Sequence, residues 1–341
     1  MVQRETDISK RVPQHILLER LNGMWTSYAI QAAVHYNFAT LLRERSKTSA
    51  QLAQETGTQE AWVYRVLRFL AANDIFVEVT PRTFENTELS TYLRDDIPDS
   101  IYAIANMFGS EHHRRSWGLL EESMRTGTPA VELLYGMDIY DYFDMHPEEG
   151  VVFDDAMTSL SASADKAIAT TYDFSRVGQL VDVGGGRGSL LSTILSHYPS
   201  LQGVLFDRPS VIEQVKTSSS TDLPYQLVAG NFFESVPAGA DIYMLKWILH
   251  NWSDKQCRTI LQNCRKAMHS QAVLLVCEQV VFPENNQGSV TKGLDLLMGL
   301  EQNGYERTQE EFRALYEASG FHLARIIPTG SIYYIFEGVI V

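Results

Sequence analysis

The chain has 341 residues, enough for about two domains, and its apolar fraction of 45% is ordinary for a globular protein. A formal net charge of −14 argues against nucleic acid as a partner, because phosphate binding needs clustered lysine and arginine side chains. The first residues lack the apolar core of a signal peptide, no stretch approaches the ~18 apolar residues of a membrane span, and the 3 cysteines lack metal-type spacing, so we expect a cytoplasmic protein with reduced thiols.

The N-terminal part of the chain has the pattern of a helical module. Residues from about 12 to 45 have the apolar spacing of two amphipathic helices, with an apolar surface broad enough that we expect part of it to contact another chain. From Ser49, a helix, a glycine turn and a second helix precede the apolar run Ile75–Val77, which predicts a winged-helix module. Such a module either reads DNA, here through Arg65 and Arg68, or serves as a packing and dimer scaffold. The balance of acidic and basic residues across this region favours the scaffold.

The next segment, residues from about 100 to 170, is predicted to be helical and is rich in large side chains. We expect most of these side chains to form core and a few to line an apolar pocket for a flat substrate. His112 and His113 are neighbours on a predicted helix, so they point about 100 degrees apart and do not form a metal-binding i, i+4 pair. No metal site is predicted there.

The segment Gln179–Ser189 runs from a buried strand through a glycine turn into a helix. Asp182, Gly184, Gly186 and Gly188 give the pattern D-x-G-x-G-x-G, which does not match the dinucleotide fingerprint G-x-G-x-x-G. The pattern is similar to the first motif of the S-adenosylmethionine-dependent methyltransferases. A glycine turn without a ligand is the alternative interpretation.

Three more strands are predicted, and residues at the ends of two of them suit a nucleoside ligand. The second strand ends at Asp207, whose carboxylate can accept both hydroxyls of a ribose. The third strand leads to Asn231 and Phe232, where an amide and an aromatic ring can hold adenine, and the fourth strand ends at Lys246. Strands that alternate with helices predict a parallel sheet that binds ligands outside the carboxyl ends of its strands.

The segment that follows the fourth strand, Lys246–Asp254, closely resembles the small-molecule O-methyltransferases of the plant caffeic acid type and their bacterial relatives in antibiotic and pigment biosynthesis. The resemblance extends over five motifs in order: the glycine motif, Phe206–Pro209, Gly230–Glu234, Leu245–Asp254 and Glu306–Phe312. It implies an α/β fold, with a class I methyltransferase Rossmann-like sheet after an N-terminal α-helical winged-helix dimerisation domain. We expect the dimerisation domain over residues 1–100 and the S-adenosylmethionine-binding domain, with a helical substrate-pocket segment, over residues 101–341.

The resemblance also implies roles for individual residues. His250 falls on the general base of the family, and Glu278 and Glu306 fall on the two carboxylates beside it. The implied cofactor contacts are Gly184, Gly186, Asp207, Asn231, Phe232 and Lys246. Asn231 stands where the family usually has Asp, so one charge near the adenine is lost.

The three proposed catalytic residues can accept the hydroxyl proton without the help of a metal. A phenol titrates near 10 and a free imidazole near 6.5, so complete proton transfer to an unassisted histidine is uphill by ~3.5 units, about 5 kcal/mol. Glu278 and Glu306 would fix the tautomer of His250 and stabilise its imidazolium form. The remaining driving force comes from a sulfonium that loses its positive charge as the methyl group moves in line to the oxygen. A buried, hydrogen-bonded structural histidine is the alternative interpretation of His250.

The C-terminal part of the chain carries three further predictions. A helix over Ser253–Met268 places Cys257 and Cys264 on its core face, and Thr308 with Glu311 forms the capping box of a later helix. The tail, residues 331–341, is expected to add a final antiparallel strand, as in the family that the chain resembles.

The sequence therefore predicts an S-adenosylmethionine-dependent O-methyltransferase acting on a hydroxyl of a small aromatic molecule in secondary metabolism. We expect a cytoplasmic homodimer, joined through its N-terminal domain, without nucleic acid or membrane partners. The alternatives are transfer to carbon or nitrogen, a relative that binds the cofactor but catalyses hydroxylation or decarboxylation, and a winged-helix regulator that senses a small ligand.

Overall fold

The computed structural model describes residues 12–218, 223–283 and 288–341. Residues 1–11, in which no signal peptide is predicted, lie outside these ranges. The chain divides into two compact units, one up to Glu111 and one from His112 onward. In the described part of the chain, no helix combines the length and the apolar character needed to cross a membrane.

The first unit is mainly helical. Its helices are α1 (Pro13–His35), α2 (Phe38–Leu41), α3 (Ser49–Thr56), α4 (Glu60–Ala71), α5 (Glu88–Thr91) and α6 (Tyr102–Phe108). Its strands β1 (Lys47–Thr48), β2 (Phe76–Thr80) and β3 (Thr83–Asn86) pair antiparallel in the order β1-β3-β2. The helix-turn-helix α3–α4 followed by the β2–β3 hairpin confirms the predicted winged-helix module.

Local sequence signals explain the helix-turn-helix. Thr48 and Gln51 form a capping box at the start of α3, and Gly57 ends that helix with a φ of +68°, a left-handed conformation that favours glycine. Helix α4 buries Val63, Leu67 and Leu70, which lie on one helical face.

Helix α1 differs from the two helices expected over residues 12 to 45, because it continues without a break to His35 and only the short α2 follows. Asn37, in a left-handed conformation with φ of +53°, separates α1 from α2. Helix α1 exposes large apolar side chains at Leu17, Leu18, Leu21, Met24, Trp25 and Tyr28. This face has the composition of a surface that another chain covers.

A run of helices opens the second unit, which confirms the predicted helical segment. The helices are α7 (Glu111–Trp117), α8 (Leu120–Thr126), α9 (Ala130–Tyr135), α10 (Ile139–Met145) and α11 (Pro147–Thr171). The buried rings of His112 and His113 lie 90° apart and contact different carboxylates, those of Glu149 and Glu301. The two histidines therefore diverge, as their adjacent positions on one helix predict.

The rest of the second unit is a sheet with helices on both faces. Its strands are β4 (Gln179–Val183), β5 (Gln202–Asp207), β6 (Tyr225–Ala229), β7 (Ile242–Lys246), β8 (Val273–Gln279), β9 (Phe321–Pro328) and β10 (Tyr333–Ile340). Its helices are α12 (Ser189–His197), α13 (Pro209–Ser218), α14 (Asp254–Ala267), α15 (Ser289–Glu301) and α16 (Gln309–Ala318). Alternate residues of β4 enter different cores, Val181 and Val183 on one face and Leu180 on the other.

Among the described residues the sheet has 7 strands in the order β6-β5-β4-β7-β8-β10-β9. The strands from β6 to β8 are parallel, and β10 is antiparallel to both of its neighbours, β8 and β9. This confirms the antiparallel C-terminal strand, although β10 lies inside the sheet and the unpredicted strand β9 forms the edge. The carboxyl ends of the five parallel strands meet at one edge of the sheet, where such folds bind ligands.

Two smaller predictions are also confirmed. Cys257 and Cys264 are buried on α14, and the thiols of both residues have pKa values raised to about 12 by burial. Thr308 and Glu311 form the predicted capping box of α16. The two cysteines are therefore core residues of low reactivity.

Candidate active site

The chain makes a sharp turn directly after β7. Trp247 has a left-handed backbone with φ of +56°, and a short 3-10 turn, Leu249–Asn251, carries His250. The backbone N–H groups of Ile248 and Leu249 donate to Oε1 of Glu278 at 3.0 and 2.9 Å. Glu278 lies in β8 and is fully buried, so one carboxylate oxygen holds the start of the His250 turn.

The ring of His250 contacts both predicted carboxylates. Its Nδ1 lies 2.8 Å from Oε1 of Glu306, a hydrogen bond in which the ring N–H donates, and 3.8 Å from Oε2 of Glu278. The side chain of His250 is 15% exposed, whereas those of Glu278 and Glu306 are 0% and 1% exposed. Nε2 makes no hydrogen bond to any described residue, so the tautomer with a proton on Nδ1 leaves the Nε2 lone pair available.

The carboxylates change the acidity of the ring. Burial disfavours the imidazolium form, but the charge of Glu278 and the hydrogen bond and charge of Glu306 outweigh it and raise the pKa of His250 to about 9. Burial also raises the pKa of Glu278 to about 7. His250 is therefore a stronger base than free imidazole, and the gap to a phenol shrinks to about 1 unit, or ~1.4 kcal/mol.

The same three side chains have the spacing of a cation site. The ligand atoms of His250, Glu278 and Glu306 all lie within 4.8 Å of one another. The second oxygens of Glu278 and Glu306 are buried and lack a hydrogen-bond partner among the residues that the structure describes. The absence of a metal from this site therefore stays a prediction.

The predicted glycine loop lies beside the His250 turn. Gly184 has φ of +72°, and a Cβ built on it would come within 2.5 Å of Cδ1 of Ile248. Gly186 has φ of +57° with open space around it, so its backbone conformation rather than packing requires glycine. Its N–H donates to Oδ2 of Asp207 at 2.7 Å, and Oδ1 of that residue accepts from the N–H of Arg208 at 2.7 Å. The carboxylate of Asp207, which is predicted to bind the ribose, is therefore hydrogen-bonded directly to the loop.

The predicted adenine residues follow β6. Phe232 lies near the loop, because a Cβ built on Gly184 would be 3.6 Å from its ring. Asn231 is exposed, and its Oδ1 accepts from the N–H of Phe233 at 3.0 Å, so its side chain caps its own turn. The ring of Trp252 lies edge-on to that of Phe232, with centroids 6.1 Å apart. Trp252 is an aromatic neighbour that the sequence did not single out.

Lys246, the remaining predicted cofactor contact, is paired within the protein. Its Nζ donates to Oγ of Ser161 at 2.6 Å and to the carboxylate of Asp165, which also accepts from Oγ of Ser189 at 2.6 Å. Asp182 is buried close to this ion pair, and burial raises its pKa to about 7.

Ser161 and Asp165 are site residues that sequence reasoning missed. Both are buried on α11 and stand four residues apart. The buried Ile168 follows Asp165 three residues later on the same helix. Polar residues on the apolar face of a predicted helix are the signal that could have identified them.

Two family models match the chain. The O-methyltransferase dimerisation domain matches residues 18–96, and the O-methyltransferase domain matches residues 117–322, more than half of the chain. The chain belongs to the O-methyltransferase family. This confirms the resemblance, the fold class and the enzymatic nature that the sequence predicts.

Individual relatives agree with this assignment. The phenazine O-methyltransferase PhzM of Lysobacter antibioticus is 36% identical to this O-methyltransferase over 319 residues, covering 93% of each chain. The crystal structure of LaPhzM has a TM-score of 0.92 and 36% identity, and the match covers 97% of this chain and 100% of that one.

Two further relatives bear on the reaction. The structure of an O-methyltransferase from neocarzinostatin biosynthesis, in complex with S-adenosylmethionine and 2-hydroxy-5-methyl naphthoic acid, has a TM-score of 0.80 and 28% identity, covering 93% of this chain and 96% of that one. An 8-amino-8-demethylriboflavin N,N-dimethyltransferase of Streptomyces davaonensis is 31% identical, covering 91% of each chain. The family depends on S-adenosylmethionine, so the predicted cofactor is confirmed.

Proposed function

We propose that this O-methyltransferase methylates a phenolic hydroxyl of a flat aromatic metabolite and that His250 is its general base. The observation that carries the proposal is the pairing of His250 Nδ1 with Glu306 at 2.8 Å on a ring whose Nε2 remains without a partner among the described residues. A partly exposed ring of this kind can accept a proton from an acceptor hydroxyl.

The proposed mechanism uses the chain's own residues in distinct roles. Glu306 holds the Nδ1–H, so Nε2 accepts the hydrogen bond of the acceptor hydroxyl. As the O–C bond forms, the hydroxyl proton passes to Nε2, and Glu278 and Glu306 stabilise the imidazolium. When bound, S-adenosylmethionine supplies a methyl group on a positively charged sulfur. His250 later releases the proton to solvent.

The proposed cofactor contacts are those that the sequence indicates: Gly184, Gly186, Asp207, Asn231, Phe232 and Lys246. Two contacts support this proposal, since the N–H of Gly186 holds the carboxylate of Asp207 at the loop and the ring of Phe232 lies beside Gly184. The buried Oδ2 of Asp182, without a partner among the described residues, adds an acceptor near the Lys246 ion pair that suits an amino-acid ammonium group.

Nitrogen is the alternative methyl acceptor. The relative that is named as an N,N-dimethyltransferase favours it. A neutral aromatic amine loses a proton much more easily after methylation than before it, so it depends less on a base than a phenol does. We therefore expect the two acceptor classes to differ in their need for His250.

We also propose a homodimer in the cytoplasm. The match to a dimerisation domain over residues 18–96 and the exposed apolar face of α1 support the dimer. The buried, unpaired thiols of Cys257, Cys264 and Cys277 fit a reducing compartment.

A binding titration followed by an acceptor screen tests the proposed function. S-adenosylmethionine and its demethylated product are titrated calorimetrically, and matched pairs of phenols and arylamines are then assayed, with mass spectrometry and NMR locating the methyl group. We expect both nucleosides to bind and a phenol oxygen to be methylated equally well with and without a chelator. Methylation of the arylamines alone would contradict a phenolic acceptor. Loss of activity in the presence of chelator, with recovery on addition of Mg²⁺, would contradict a metal-free site.

A further inference from the structure

Arg307 follows Glu306 in the chain, and its side chain is only 1% exposed. A buried guanidinium needs partners for its N–H groups. Its Nη1 donates to the carbonyl of Leu249 at 2.8 Å, and its Nη2 donates to the carbonyl of Trp252 at 2.9 Å and to Oδ1 of Asp254 at 2.9 Å. Two of these three partners are backbone carbonyls, one on each side of His250.

The turn that carries His250 is therefore held from both sides. Glu278 accepts the N–H groups of Ile248 and Leu249 at the start of the turn. Arg307 holds carbonyl groups at both ends of the turn. Because Trp247 has a left-handed backbone, this turn does not continue a regular strand or helix, and its direction depends on such contacts.

The segment before Arg307 packs directly on the same turn. A Cβ built on Gly304 would lie 2.0 Å from the carbonyl oxygen of His250. The N–H of Glu306 donates to Oδ1 of Asp295 at 2.9 Å, and the carbonyl of Arg307 accepts from the N–H of Val281 at 3.0 Å. One anchored segment thus presents a carboxylate to the ring of His250 and a guanidinium to the carbonyls of Leu249 and Trp252.

Among the described residues, the charged groups that shift the pKa of His250 are Glu278 from β8, and Glu306 and Arg307 from the segment before α16. The two carboxylates raise the pKa of His250, and the positive charge of Arg307 lowers it. Arg307 therefore limits how far the two carboxylates stabilise the imidazolium form of His250.

We propose that Arg307 is a positioning residue for methyl transfer, which fixes the direction of His250 by holding both ends of its turn and balances the charge of the adjacent carboxylates. This inference rests on the proposed role of His250 as the base. It assigns to a residue outside the three proposed catalytic groups a part in setting both the rate and its pH dependence.

The test compares Arg307→Met and Arg307→Lys with Arg265→Met as a matched control. Arg265 also donates to two backbone carbonyls, those of Gly320 and Val341, at 3.0 Å each. For Arg307→Met we expect kcat to fall by about 10- to 100-fold, since small displacements of a catalytic group have effects of this size. Its KM for S-adenosylmethionine should stay unchanged, and the acidic limb of kcat/KM should move to higher pH.

Arg307→Lys should keep the limb at the wild-type pH and recover part of the rate, because an ammonium retains the charge but not the planar fork that reaches several acceptors. Arg265→Met should change neither the limb nor kcat. Wild-type kcat and an unmoved limb in folded Arg307→Met would overturn the inference. If Arg307→Met does not fold, a wild-type kcat in Arg307→Lys would overturn the inference instead.

His250→Ala, assayed in parallel, keeps this failure distinct from failure of the proposed function. Full turnover in His250→Ala would show that His250 is not the base, whatever the Arg307 variants do. Lost turnover in His250→Ala together with wild-type behaviour of Arg307→Met would leave the base in place and exclude the positioning role.

Discussion

His250 and the two carboxylates that raise its base strength lie on three different segments. His250 itself lies after β7, Glu278 lies in β8, and Glu306 lies before α16. With the pKa of His250 raised to about 9, the ring is mostly protonated near neutral pH, but each deprotonated ring is a strong base. Turnover should therefore increase as the pH rises toward 9, because only the neutral ring can accept the hydroxyl proton.

Replacing Glu306 with glutamine tests this electrostatic arrangement. Glu306→Gln removes a negative charge 2.8 Å from Nδ1, so the pKa of His250 should fall and the acidic limb of kcat/KM should move to lower pH. The maximal rate should fall by about 10-fold or more, since the weaker base takes the proton less readily. A pH profile from 5 to 10 measures both effects.

Glu310→Gln is the matched control, because Glu310 is exposed on the first turn of α16 and loses the same charge away from the ring. Its profile should match the wild type. If the acidic limb of kcat/KM for Glu306→Gln lies at the wild-type pH, the pKa of His250 does not depend on this carboxylate.

Sequence motifs indicated which side chains lie together around His250, and the roles of these side chains stay predictions. Glu278 and Glu306 lie within hydrogen-bonding or ion-pairing distance of His250, although they follow it in the chain by 28 and 56 residues. The partners of Lys246 were not predicted, because Ser161 and Asp165 occupy an upstream helix whose packing on the sheet a single sequence does not specify.

At the scale of elements, periodicity predicted the pieces whose burial is regular. The strand before the glycine loop is buried on both faces, and the capped helices α3 and α16 begin where their capping boxes lie. The edge strand β9 was missed because its burial alternates only at Phe321 and Leu323 and then becomes irregular. Its position depends on pairing with β10, which lies later in the chain.

Helix α1 carries a prediction about assembly. Leu21 is 62% exposed on the apolar face of α1, so burial of its side chain between two copies would contribute about 1.5–3 kcal/mol per copy. Leu21→Glu should therefore raise the dimer dissociation constant by at least about 100-fold. Size-exclusion chromatography with light scattering measures the mass across a dilution series.

Met124→Glu is the comparison for this variant, because Met124 is also an exposed apolar residue but lies on α8 in the second unit. We expect it to remain dimeric. A wild-type monomer, or a Leu21→Glu dimer as stable as the wild type, would contradict assembly through α1.

The whole molecule combines two units, and the structure and the family models divide the chain at similar places. The structure divides after Glu111, and the family models end and begin at residues 96 and 117. The described site residues, from Ser161 to Arg307, all belong to the second unit.

The most direct test of His250 as the general base is the single-turnover rate of methyl transfer by His250→Ala, measured with a series of phenols of increasing acidity. Calorimetry first establishes that the variant binds S-adenosylmethionine as the wild type does. With a phenol of pKa near 10, we expect the rate to fall by about 10²- to 10⁴-fold relative to the wild type. The loss should shrink for phenols that are already ionised at the assay pH, because these need no base. A wild-type rate in His250→Ala with the weakly acidic phenol would show that His250 is not the base.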